Sequence, residues 1–257
     1  MAHATDFFPG SKTDELANAR DDLAAAFRIA ARLGFHEGTC NHFSLLLPGS
    51  RETYLINPFG LSFEEIRPAD LLLVDSAGSV IDGVGRVEKT ALNIHSRVHR
   101  ASPDAACVLH THMPYATALT TLDGFCLEMC HQNSLRFFDR IAYDRDQSEY
   151  GGLALSEQEG DRIAAALSSK RVLMLEHHGV IVTGPSIAAA LDDLYYLERA
   201  AQVQILAMSS GRPLKRVSDE LARRTSREFA RDRDEYARLH FRSLKRLLES
   251  AEPHWRD

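Results

Sequence analysis

His110-Thr111-His112 ends a short apolar run, Cys107-Val108-Leu109. Side chains alternate across a strand, so residues two apart share a face. His110 and His112 therefore point the same way, and two imidazoles side by side can hold one metal ion. A further histidine stands in a similar setting in Glu176-His177-His178-Gly179, after the apolar run Val172–Leu175. Three imidazoles leave a coordination position open, as catalytic zinc sites do. Zinc is the first expectation, because imidazole suits it and it needs no redox partner; iron, manganese and cobalt fit the same ligands. Taken singly each histidine reads as a core residue; the combination points to a metal. Glu88 opens the helix before the His-x-His strand. A carboxylate there is favourable beside the helix dipole, so spacing alone leaves it open between that part and an acid/base role.

These side chains need elements to carry them. Thr13-Asp14-Glu15 reads as the cap of a helix running to about Leu33, with Leu16, Leu23, Phe27 and Ala30 on its apolar stripe and Gly34 as its stop. The loop Gly38–Ser44 feeds a strand, Tyr54–Asn57 is a second, and Pro58-Phe59-Gly60 turns the chain. Leu71–Asp75 and Ser79–Ile81 read as a hairpin around Ala77-Gly78. Leu92, His95, Val98 and His99 lie at helical spacing after Glu88. Met113–Leu122 is a helix entered through Pro114, and residues 123–155 read as short strands and loops, ending near Tyr150-Gly151-Gly152. Ser156 with Glu159 resembles a capping box for a helix to about Leu167. Val172–Leu175 and Val180–Thr183 flank the His-His-Gly turn. A helix from Ser186 to about Ser209 stops at Gly211 and Pro213, and one charged helix from about Ser218 to Leu248 follows. Residues 1–12 are polar and are expected to lie loosely on the surface.

The chain has 257 residues, enough for a sizeable core. Strands and helices mix throughout without a linker or a repeat, which predicts one α/β domain over residues 1–257, with its core at about 15–212. A net charge of −6 gives no pull toward nucleic acid or an anionic membrane. The arginines after residue 218 alternate with Asp and Glu, as on a solvated face or subunit contact. Four cysteines without a CxxC fit a reducing compartment. No basic start followed by an apolar run marks a secretory signal, and no apolar stretch reaches the ~20 residues of a membrane span. A soluble cytoplasmic protein is the expectation.

The chain resembles the class II aldolase/adducin family across roughly residues 15–212, with its motifs in the family's order. Gly38-Thr39-Cys40-Asn41-His42-Phe43-Ser44 resembles the family's Gly…Asn-x-Ser loop, and Asn57-Pro58-Phe59-Gly60-Leu61 its Pro-x-Gly turn. Glu88 stands where the family has its catalytic acid. His110-Thr111-His112 followed by Ala116-Thr117-Ala118 resembles its metal-binding segment, and His177-His178-Gly179 its Asn/His-His-Gly. The resemblance implies a three-layer α-β-α fold around a central, largely antiparallel sheet, and a homotetramer with active sites between subunits. It implies His110, His112 and His178 as metal ligands, with His177 outside the ligand set and Glu88 as general acid/base. Asn41 and Gly60 match positions that bind the substrate's phosphate in the sugar-phosphate aldolases. His131 falls near the place of a proton-donating tyrosine supplied by a neighbouring subunit.

The implied chemistry is carbon–carbon cleavage of a small hydroxy-carbonyl or hydroxy-acid compound, a metal ion stabilising the enediolate and Glu88 moving the proton. A decarboxylase, or an iron-dependent oxygenase, on the same scaffold is the alternative; epimerases and dehydratases also belong to the family. Two departures bear on the substrate. The sugar-phosphate aldolases carry Ser-Ser just before the catalytic Glu, where this chain has Arg86-Val87. Arg86 can bind a phosphate or a carboxylate bidentately or stand as a surface arginine, and a carboxylated or unphosphorylated substrate gains weight. The Asn57–Gly60 turn and the Glu88-Lys89-Thr90 helix start resemble the adducin branch, whose heads are structural. That branch lacks a glutamate at the position of Glu88, so the retained Glu88 and three histidines favour an enzyme over a scaffold.

Overall fold

The structure is a computed structural model that describes residues 12–102, 104–145 and 152–257. Among these, eight strands form one sheet: β1 (His42–Leu46), β2 (Thr53–Ile56), β3 (Leu72–Asp75), β4 (Val80–Asp82), β5 (Cys107–Thr111), β6 (Ile141–Asp144), β7 (Val172–Leu175) and β8 (Gly179–Gly184). Their order across the sheet is β4-β3-β2-β1-β5-β8-β7-β6. Every neighbouring pair is antiparallel except β6 with β7. The largely antiparallel α/β expectation holds.

Period-two alternation sends each strand's side chains to two different layers. Phe43, Leu55, Leu109, Met174 and Val182 enter one core, against α1 (Lys12–Arg32), α3 (Pro114–Thr120), α5 (Ile187–Met208) and α7 (Arg233–Ala251). Val108, Leu173 and Ile181 turn the other way, against α2 (Lys89–Ala101) and α4 (Glu157–Leu167). Tyr54, Ile56, Leu72 and Val74 extend that second layer toward Ala91 of α2. The helices α2 and α4 approach so closely that a Cβ at Gly160 would meet the Asn93 carbonyl oxygen at 2.3 Å.

Several boundaries differ from expectation. The first helix already begins at Lys12, so Asp14 and Glu15 sit inside its first turn. Residues 1–11, and Tyr150-Gly151 in the 123–155 stretch, lie outside the described residues. The capping box at Ser156 forms by half. Ser156 Oγ accepts from Glu159 N–H at 3.2 Å, but the Glu159 carboxylate turns to Arg162, where a charged partner outweighs a peptide N–H. The single charged helix expected over 218–248 is two, α6 (Asp219–Arg231) and α7, broken at Asp232 with φ −115° and ψ 17°. Arg233, 8% exposed, pairs with buried Asp193 of α5 and pins the start of α7 to the body. Sequence periodicity does not contain that long-range pair.

Candidate metal centre

The centre forms at one end of the middle of the sheet. β5 ends in His110 and Thr111, and the chain leaves it through His112 into α3, whose Pro114 fits the first helical turn. β7 and β8 are joined by Glu176-His177-His178. His177 turns that corner with φ +56°, in the left-handed region that His enters more readily than a branched residue. The corner turns His177 out to solvent and brings His178 to the end of β5. Gly179 then lets β8 close on the His-x-His segment, since a Cβ there would lie 2.6 Å from the Thr111 carbonyl oxygen.

The result is a triad. One ligand nitrogen each from His110, His112 and His178 lies within 4.8 Å of the others, the one such cluster of three among the described residues. The rings stand roughly edge to face, with centroids 4.9 to 5.1 Å apart. The outer nitrogens of two are occupied. His110 Nδ1 donates to the Val180 carbonyl at 3.0 Å, and His112 Nδ1 donates to Glu37 Oε2 at 2.7 Å. The carbonyl bond fixes the tautomer of His110 and leaves its Nε2 without a hydrogen, and the carboxylate bond orients the His112 ring. His112 Nε2 is buried and has no hydrogen-bond partner. Burial, and then the charges of neighbouring histidines, hold His110 far below the usual imidazole range. Burial and His112 hold His178 at about 4. Convergent imidazoles with a buried ring nitrogen that has no partner are what a divalent cation requires.

The other expected site residues fall into two groups. Asn41, Gly60, Arg86 and Glu88 gather at the same end of the sheet as the triad. Asn41 accepts at Oδ1 from the Glu37 N–H at 2.7 Å, and its Nδ2 is buried without a partner. The Asn57 side chain links Asn41 to Phe43. Gly60 lies in the exposed turn that follows, and Arg86 is tied to it through the Phe59 N–H, which donates to the Arg86 carbonyl at 2.9 Å. The Arg86 guanidinium lies 4.9 Å from the Phe59 ring centroid and makes no ion pair among the described residues. Glu88 is the N-cap of α2; its Oε2 accepts from Ala91 N–H at 2.9 Å and from the Thr90 hydroxyl. It makes no hydrogen bond to the triad among the described residues. His131 is apart from these, in a cleft of about 590 Å³ with Val217, Phe229 and Tyr236.

Two groups of residues escaped the sequence reading. Glu37, the partner of His112, stands in a loop with no local signal. His42 lies directly opposite His110 in the β1–β5 register and stacks on it. The sequence showed His95 and His99 one helical turn apart, but not what they face.

A family model described as Class II Aldolase and Adducin N-terminal domain matches residues 21–205. Decarboxylase NovR of Streptomyces niveus is 34% identical over 208 residues, 80% of this chain and 75% of that protein. An aldolase II superfamily protein from Pseudomonas syringae superposes with a TM-score of 0.87 at 33% identity, covering 96% of this chain and 100% of that one. The L-fuculose 1-phosphate aldolase of Glaciozyma antarctica PI12 superposes with a TM-score of 0.83 at 28% identity, covering 98% and 97%.

Proposed function

Because the chain belongs to the class II aldolase and adducin N-terminal domain family, we propose that it is a metal-dependent carbon–carbon lyase acting on a small hydroxy-carbonyl or hydroxy-acid compound. The observation that carries this reading is the triad of convergent imidazoles. His110, His112 and His178 would hold a divalent cation, zinc first, which supplies Lewis acidity toward adjacent substrate oxygens.

The chain's own groups do the rest. Glu88 Oε2 is held by the α2 cap, leaving Oε1 to exchange a proton with the substrate carbon that takes up the electron pair of the broken bond. Substrate lies between Glu88 and the triad, which make no hydrogen bond to each other among the described residues. Asn41 Nδ2, Gly60 and the unpaired Arg86 contact the substrate's anionic end, Arg86 bidentately. The space between His178 and α4 is only about 20 Å³, and a cleft of about 1080 Å³ lies at the far end of the sheet. A neighbouring subunit of a homotetramer is therefore proposed to wall the site and to bring His131 to the substrate hydroxyl. Decarboxylation of a hydroxylated or aromatic acid is the second reading. The unpaired Arg86 and the likeness to a decarboxylase favour it.

The test is elemental analysis of the purified protein, followed by product analysis on hydroxy-aldehydes and hydroxy-acids. About one zinc per chain, lost in His110→Ala/His112→Ala, and an aldehyde product support the lyase. Carbon dioxide without an aldehyde selects the decarboxylase, and iron with oxygen uptake an oxygenase. Turnover unchanged in Glu88→Gln sinks the assigned role of Glu88.

A further inference from the structure

The seam between α2 and the sheet holds a run of polar groups that the proposed chemistry does not use. His42, Ser44, His95 and His99 are each at most 5% exposed. His99 Nδ1 lies 2.6 Å from the Ala105 carbonyl oxygen, and His99 Nε2 lies 2.7 Å from Ser44 Oγ. Ser44 Oγ also reaches His95 Nδ1, and His95 Nε2 lies 2.7 Å from His42 Nδ1. His42 ends the run at the metal centre, its ring stacked on His110 with centroids 4.8 Å apart and planes at 29°.

The hydrogens in this run have one arrangement. The Ala105 carbonyl only accepts, so His99 Nδ1 carries a hydrogen. Burial holds His99 neutral, with its pKa lowered to about 4, so its Nε2 accepts and Ser44 donates its single hydrogen there. Ser44 Oγ must then accept from His95 Nδ1–H. His95 and His42 are 0% and 3% exposed and pair with no carboxylate among the described residues, so neither ring has a partner for a positive charge. His95 Nε2 therefore accepts from His42 Nδ1–H, and His42 Nε2, on the ring edge turned away from His95, carries no hydrogen. The far end of the run is a peptide carbonyl, which passes no proton on. The run is an anchor rather than a conduit.

We propose that this run is a tautomer lock that makes His42 a ligand-binding residue: it keeps Nε2 unprotonated on the ring stacked against His110, where it accepts a hydrogen bond from the hydroxyl of a bound hydroxy acid or hydroxy-carbonyl. The class of ligand rests on the metal-dependent reading above; the lock does not. An acceptor of fixed tautomer selects for a hydroxyl, because a bound ligand without one covers Nε2 and leaves it unpaired.

Two measurements on the full chain test this. Long-range proton–nitrogen correlation spectra of the metal-free, nitrogen-15-labelled protein at neutral pH read the tautomer of His42. The expected result is a protonated Nδ1 and a bare Nε2, shifting toward a mixture of tautomers in Ser44→Ala, which breaks the run two links away. The zinc-loaded protein is then titrated with glycolate and with acetate, which lacks the hydroxyl. The preference for glycolate is expected to fall about tenfold, the weight of one hydrogen bond to a strongly polar partner, in both Ser44→Ala and the ring-preserving His42→Phe, at unchanged zinc stoichiometry. A protonated Nε2 in the parent protein, or a glycolate preference unchanged in both variants, overturns the proposal. Failure to take up zinc overturns the metal reading instead, while the tautomer still decides the lock.

Discussion

Gly179 stands against Thr111 with no room for a side chain: a Cβ would lie 2.6 Å from the Thr111 carbonyl oxygen and 2.9 Å from His112 Cδ2. The contact joins the two chain segments that carry the triad. Gly179→Ala is expected to push β8 off the end of β5 and spread the ligand nitrogens. Zinc affinity, measured against a competing chelator, should fall at least about tenfold, as when a metal ligand loses its support. Overpacking should lower stability by about 1–3 kcal/mol.

Acid should unfold the metal-free protein over a defined range. His99 and His178 are lowered by burial to about 4, from 6.5, and His42, His95 and His110 are also held well below the usual imidazole range. Between those values the unfolded chain binds protons that the folded chain does not. Stability therefore rises with pH through this window: it is full above about 6.5 and is lost as pH falls toward about 4. Urea midpoints across this range check it. A midpoint that stays flat would mean that the buried histidines are hydrated in solution.

The corner between α6 and α7 rests on Arg233 and Asp193, whose side chains are 8% and 5% exposed. Asp193→Ala strands a buried guanidinium and should cost about 3–5 kcal/mol in denaturant unfolding. Asp193→Ala combined with Arg233→Met should recover much of that loss, because no unpaired charge remains.

Glu88 caps α2 as well as standing where the proposed chemistry needs a carboxylate, and two substitutions separate these parts. Glu88→Gln keeps an oxygen for the Ala91 N–H and should leave the melting temperature nearly unchanged while lowering turnover by about a hundredfold or more. Glu88→Ala loses the cap too and should cost about 1 kcal/mol of stability.

What the sequence reveals of this molecule follows the range of the interactions involved. The His-x-His strand, the Ser156 and Ser186 helix starts and the β7–β8 hairpin are set by neighbours in the chain, and periodicity exposes them. His178 rather than His177 enters the triad because His177 takes the left-handed corner; the family resemblance indicated the choice, and spacing did not. His42 and Glu37 reach the triad through long-range contacts, the β1–β5 register and a loop that folds back over His112. No local pattern marks such pairings. The break at Asp232 was invisible for the same reason. The charged alternation runs on across it, and the partner of Arg233 lies on α5, 40 residues back.

The triad hangs from β5, with β1 on one side and β8 on the other. Fraying begins at sheet edges, here β4 and β6, and reaches the middle last. His110 lies within β5, so Val108, Leu109 and His110 should be among the slowest amides to exchange, and a bound cation, which favours the folded chain, should slow them further.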